Sequence, residues 1–94
     1  MVIREGETSY GKILFTVDGN RIRLGDGRWG RVVFTIDGNY LREGDASYGT
    51  ILYNIDGKYL REGPTSYGRI LATFDGPYIR QGDGPWGKIL LRIC

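Results

Sequence analysis

One pattern of nineteen residues recurs five times with no insertion or deletion, and it limits the fold more than any other feature. The units are IREGETSYGKILFTVDGNR (3–21), IRLGDGRWGRVVFTIDGNY (22–40), LREGDASYGTILYNIDGKY (41–59), LREGPTSYGRILATFDGPY (60–78) and IRQGDGPWGKILLRIC (79–94). Each unit holds a long alternating segment, such as Ile51-Leu52-Tyr53-Asn54-Ile55, and a short one, such as Tyr59-Leu60-Arg61-Glu62. Asp-Gly stands between them at Asp18-Gly19, Asp37-Gly38, Asp56-Gly57 and Asp75-Gly76. Asp-Gly between alternating apolar runs predicts a two-residue type I′ hairpin turn, which needs positive φ at both central residues. The link to the next long strand carries glycine at both ends, as in Gly44 to Gly49. Proline occurs only in links (Pro64, Pro85) and just after a turn (Pro77), where a missing donor is tolerated. No unit shows a helical period, so the chain is predicted to be all-β.

Alternation assigns faces. On the long strands Ile13-Phe15-Val17 and the matching triplets form an apolar face, while Lys12-Leu14-Thr16 and its counterparts form a mostly polar one. A two-residue turn at Asp-Gly places Ile22 opposite Phe15 and Leu60 opposite Tyr53. It also sets Arg23 across from Leu14 and Arg61 across from Leu52. A three-residue turn with a bulge would bury arginines among isoleucines, at a cost of several kcal/mol each. The third position of each short strand is always Ile or Leu (Ile3, Ile22, Leu41, Leu60, Ile79), as a core site requires. The predicted apolar face therefore takes four residues from every unit.

Hairpin repeats either close into a ring or stack as an open solenoid. Here the chain starts within a short strand, Val2-Ile3-Arg4, and finishes within a long one, Ile89 to Ile93. Neither carries a polar capping unit of the kind an open array needs. Set end to start, KILLRIC and MVIREG complete a fifth hairpin, and the length is one residue short of five periods. Closure also removes exposed strand edges. The expectation is one 94-residue domain of about ten antiparallel strands, closed into a pseudo-five-fold ring, with a monomer as the expected state.

The hairpin unit, with Tyr-Ile/Leu at the short-strand start, a glycine-flanked link and Ile-Asp-Gly at the turn, resembles the β-flower proteins. Those are small bacterial domains in which hairpin petals surround a pseudo-symmetry axis. The resemblance covers the whole chain and rests on pattern and period. It implies the ring fold and carries no catalytic motif and no functional residues. The evenness of the repeats is also what a designed or reconstructed sequence would show.

Composition excludes several classes. Thirteen basic and eleven acidic residues give a net charge of +2, with no basic run, so nucleic-acid binding is not expected. There is no histidine, the commonest general base and metal ligand. The lone Cys94 cannot form an internal disulfide or a zinc site, and reads as a capping hydrophobe or a cloning remnant. Ser9, Ser47 and Ser66 lack a histidine partner and a nucleophile elbow, and GDGRWG is followed by no helix that would make it a phosphate loop. Asp18, Asp37, Asp56 and Asp75 sit one to a turn, so no calcium cluster is predicted. The first residues lack a signal-peptide pattern, and the longest apolar run is too short to span a membrane as a helix. These features fit a soluble, more cytoplasmic than secreted protein with no cofactor.

Two constellations remain. The first is one arginine per unit: Arg4, Arg23, Arg42, Arg61 and Arg80. Its plain reading is a stem covering the facing Leu while the guanidinium meets a carboxylate or loop carbonyl. Its sharper reading is a five-fold ring binding an anion on the axis. The second is an aromatic before the last glycine of each link: Tyr10, Trp29, Tyr48, Tyr67 and Trp86. Its plain reading is a ring packed over the hairpin, with glycine permitting close approach. Its functional reading is a set of shallow sugar sites, with Trp29 beside Asp26 and Trp86 beside Asp83 as the best two. A non-enzymatic structural or interaction module is the leading expectation, and a multivalent binder of glycans or anions is the alternative.

Overall fold

A computed structural model describes residues 1–94 other than Ser47, Pro85 and Cys94. The readings of Cys94 as a cap, Pro85 as a link residue and Ser47 as a serine without partner lie outside the described residues. Ten strands follow in order: β1 Val2–Glu5, β2 Ile13–Asp18, β3 Arg21–Leu24, β4 Val32–Asp37, β5 Tyr40–Glu43, β6 Ile51–Asp56, β7 Tyr59–Glu62, β8 Ile70–Asp75, β9 Tyr78–Gln81 and β10 Ile89–Ile93. Each pairs antiparallel with its neighbours in sequence, and β1 pairs with β10 to close the barrel. At that seam Ile3 faces Ile93, Arg4 faces Arg92 and Glu5 faces Leu91. The Cα envelope is a flat disc of 35 × 34 × 14 Å. The all-β ring of five hairpins matches the expectation from the repeat.

The turns correct the expected register. The pairs Asp18↔Arg21, Val17↔Ile22 and Thr16↔Arg23 leave Gly19-Asn20 as the two-residue loop, not Asp18-Gly19. Ile22 therefore faces Val17 rather than Phe15, and Arg23 faces Thr16 rather than Leu14. In the third hairpin Leu60 faces Ile55 and Arg61 faces Asn54, again in place of Tyr53 and Leu52. The closure shows the same shift, with Arg4 opposite Arg92. Gly19, Gly38, Gly57 and Gly76 have φ of 62–66°, and among the described residues no other residue type has positive φ. Positive φ at the first central residue alone is the type II′ signature, which demands glycine there. Pro77, with φ fixed near −65°, suits the second position and could not serve in a type I′ turn. The register moves by two residues, so the short-strand side chains keep their predicted faces.

A β-bulge changes one part of the apolar face. Ile3 pairs with Phe15 while Arg4 pairs with Ile13, so Leu14 and Phe15 together oppose Ile3. The other long strands carry the same irregularity. A bulge of this kind turns two successive side chains to one side. Leu14 and its counterparts thus join the apolar face, and Ile13 moves across to the arginine face. Consistent with this, Leu71 with Ala72 and Leu90 with Leu91 line the same cavity.

That cavity lies on the ring axis, since all ten strands contribute to it. The long strands supply Phe15, Phe34, Tyr53, Ala72 and Leu91, and the short strands Ile3, Ile22, Leu41, Leu60 and Ile79. Phe15 and Phe34 meet with ring centroids 6.5 Å apart, and Phe34 and Tyr53 at 6.4 Å in an edge-on contact. Few of these side chains are fully enclosed; among the described apolar residues only Ile22, Ala72 and Ile79 are buried. A ring one sheet thick has no second layer to cover its core. Backbone pairing and the links must therefore supply much of the order.

The last glycine of each link is dictated by space. A Cβ on Gly11, Gly30, Gly49, Gly68 or Gly87 would overlap the carbonyl oxygen of Glu5, Leu24, Glu43, Glu62 or Gln81, respectively. The obstacle is backbone at a strand end, which cannot swing aside. Gly68→Ala is expected to cost about 2 kcal/mol, by analogy with overpacked sites. Ser66→Ala, on an exposed part of the same link, should stay within about 0.5 kcal/mol of the parent. Urea denaturation of the two variants compares them directly; equal midpoints would refute the steric argument.

Candidate functional site

The links are folded back over the arginine face and held there by repeated polar contacts. Thr16 Oγ1 donates to the Gly25 carbonyl at 2.7 Å, as Thr35 does to Gly44 and Thr73 to Gly82. The same hydroxyl accepts from the Gly27 amide at 2.9 Å and, for Thr73, from Gly84 at 3.0 Å. Asn54 takes this place in the third hairpin and donates to the carbonyls of Gly63 and Thr65 at 2.8 and 2.9 Å. Thr35, Asn54 and Thr73 are buried, and each has its partner, as buried polar groups require. Sequence reasoning passed over this position, although Thr, Thr, Asn and Thr at one register should have marked it.

Each arginine of the sequence pattern also bonds to the link. Nη1 of Arg4, Arg23, Arg42, Arg61 and Arg80 donates to the carbonyl of Gly11, Gly30, Gly49, Gly68 and Gly87, respectively, at 2.9–3.0 Å. Nε of the last four meets the turn carboxylates of Asp18, Asp37, Asp56 and Asp75 at 2.8–3.3 Å. The guanidinium forks between a turn and a link in the way its planar donors allow. Tyr40, Tyr59 and Tyr78 lie beside Arg42, Arg61 and Arg80, with the cation 5.7–6.0 Å from the ring centroid. The arginines are not brought together: the axis is lined by apolar side chains and no arginine reaches it. The guanidinium groups thus make the carboxylate and carbonyl contacts of the plainer expectation, and the alternative of a five-fold ring on the axis gains no support, because alternation turns Arg23 to the face opposite Ile22.

The aromatic residues depart from the plainer expectation. Tyr10, Trp29, Tyr48, Tyr67 and Trp86 are 93–99% exposed and do not pack over their hairpins. The reason is local. Gly11 donates to the Thr8 carbonyl and Gly68 to that of Thr65, so Tyr10 and Tyr67 each sit inside a β-turn, next to a glycine pressed on the strand end. A side chain there is carried outward. Trp29 lies with Asp18, Arg23, Gly27 and Arg28 around an open depression of about 580 Å³. The charged groups around that depression are the Asp18–Arg23 pair and Arg28. Asp26 and Asp83 are exposed on their links. Among the described residues, no group of three or more Asp, Glu, Cys or His could hold a metal ion, and no helix is long and apolar enough to cross a membrane.

These geometries separate by stability. Arg61→Ala should cost about 2 kcal/mol, since it strips the Gly68 carbonyl and the Asp56 carboxylate of a donor and removes a packed stem. Asp56→Asn should cost less than about 1 kcal/mol, because the carboxylate is nearly half exposed. Trp29→Ala and Trp86→Ala should each change stability by no more than about 0.5 kcal/mol. Thermal melts check all four, at roughly 4–8 °C per kcal/mol for a chain of this size. A large loss of melting temperature in either tryptophan variant would contradict the exposed placement.

The comparisons with known proteins agree with the architecture. No curated protein and no solved structure matches the chain. A family model described as a 6-fold beta flower protein matches residues 3–94. The description counts six repeats where this ring closes with five hairpins. With nearly the whole length matched, and with hairpin petals closed around an apolar axis, the chain belongs to the beta flower family.

Proposed function

We propose that the protein is a non-enzymatic interaction module that binds glycans weakly and at several points, through the aromatic residues of its links. The observation that carries this reading is the near-complete exposure of Tyr10, Trp29, Tyr48, Tyr67 and Trp86. Folding does not explain them, since none packs against its hairpin. Flat aromatic faces beside hydroxyl, carboxylate and guanidinium groups suit sugar rings, which present both C–H patches and hydroxyls. Trp29 has such neighbours in Asp18, Arg23 and Arg28. Five shallow sites around one ring would be individually weak. Simultaneous engagement of a branched or surface-bound glycan would raise apparent affinity by about 10²–10⁴.

Anion binding by the arginines has less support. Arg23, Arg42, Arg61 and Arg80 already meet an aspartate and a carbonyl, and they stand apart on separate hairpins. An enzymatic reading has no acid–base or nucleophile constellation behind it.

The test is a glycan array together with tryptophan fluorescence titrated with free sugars. Retention of a subset of glycans is expected, with a fluorescence change on titration. The double variant Trp29→Ala, Trp86→Ala should lose most of that retention while its melting temperature stays at the parent value. Absence of retention on the array, with no sugar perturbing the fluorescence, would remove the proposal.

A further inference from the structure

We infer that the axial cavity takes the alkyl chain of an amphiphile whose head group is net neutral. The cavity holds about 360 Å³ and is lined by carbon-rich side chains, with the Tyr53 phenol as its one polar side-chain group. It falls in the size range of small-molecule pockets. The ring around it is uneven. Phe15, Phe34, Tyr53 and Leu91 fill their sectors, whereas Ala72 puts one methyl group at the equivalent place on β8. That single truncation leaves space on one side of the axis, and Leu71 and Leu90 extend the lining there through the bulge. Phe15, Phe34 and Tyr53 are only half-buried, so solvent reaches the cavity and a ligand can enter. A lining without polar anchors selects by dispersion and displaced water, which a flexible hydrocarbon chain satisfies.

The head group follows from the strand ends beyond the lining. Glu43 pairs directly with Phe34, and Glu62 with Tyr53. Across the next ladder the strand-end amides donate to the carbonyls of basic or uncharged residues: Glu5 to Lys12, Leu24 to Arg31, Glu43 to Thr50, Glu62 to Arg69 and Gln81 to Lys88. A side depression lined by Val33, Phe34 and Leu52 is bordered by Arg31 and Glu43 together. Both signs border the apolar surface, so a head with a full net charge of either sign gains no advantage.

The inference is independent of glycan binding, and stoichiometry keeps the two apart: one ligand per chain on the axis, up to five on the links. Calorimetric titration with decylphosphocholine, below its micelle concentration, tests it against phosphocholine as the tailless control. Saturable binding of one molecule per chain is expected, with none for phosphocholine. Ala72→Phe, which copies Phe15 and Phe34, should weaken binding by about tenfold or more. Its circular dichroism and melting temperature should match or exceed those of the parent. Ala72→Leu, which copies Leu91, serves in the same way if the phenyl ring does not fit. Decyl sulfate and decyltrimethylammonium should bind more weakly than decylphosphocholine. No saturable binding, equal binding by the filled variants, equal binding of phosphocholine, or a stoichiometry near five would overturn the cavity as the site. Tighter binding of either charged analogue would overturn the head-group assignment.

Discussion

Strand β1 pairs with β10, and that ladder leaves the ten-stranded sheet with no edge. An open sheet of this composition would present two rows of unpaired amides and carbonyls, together with an apolar face that nothing covers. Closure removes the first problem outright and turns the apolar face toward the axis. The seam is also where the symmetry fails. Arg92 stands where the other hairpins have Thr16, Thr35, Asn54 and Thr73, and it faces Arg4 across the pair. Its guanidinium lies over the Tyr78 ring at 5.6 Å and Nη1 reaches the Tyr78 hydroxyl. Arg4 keeps the link bond but its Nε is buried without a hydrogen-bond partner among the described residues, and the sequence puts Cys94 nineteen residues after Asp75, where the repeat would place aspartate.

The remaining order comes from polar contacts on the side of the sheet away from the axis. The threonines and Asn54 hold the start of each link, and the arginines hold its last glycine. Turn, strand and link of one hairpin are thereby tied by side chains that never enter the apolar interior. This division frees the axial residues to vary in size from Ala72 to Tyr53 without disturbing the ring. It likewise frees the residue before the link glycine from any packing duty.

Much of the fold could be read from the repeat. Period, strand number, closure and the inward placement of Ile3, Ile22, Leu41, Leu60 and Ile79 all followed from spacing and alternation. The turn phase did not, because Asp-Gly is such a familiar central pair that Asn20, Asn39, Lys58 and Pro77 after the glycine were given no weight. Lysine and proline at that position speak against a second positive φ. The bulge was missed although it left a trace: Leu14, Val33, Leu52, Leu71 and Leu90 were apolar on a face read as polar. Residue type alone does not reveal where a strand gains an extra residue. For the candidate sites, sequence located the aromatics and arginines but not their directions. Exposure of Trp29 depends on a glycine seated against the Leu24 carbonyl, a contact between backbones that side-chain pattern cannot report.

The seam has one more consequence. Every strand pair other than β1 with β10 joins neighbours in sequence, whereas Ile3 and Ile93 meet across the full length of the chain. Loop-closure entropy therefore weighs on a single step, after the hairpins have their local partners. Val2–Glu5 also resembles four other short strands of the same molecule in pattern and length. A second copy presents that same segment, so at high concentration during refolding the strand that fills the gap need not come from the same chain. Exchange of β1 between copies would produce linked rings with unchanged petals, a failure of partner choice rather than of folding.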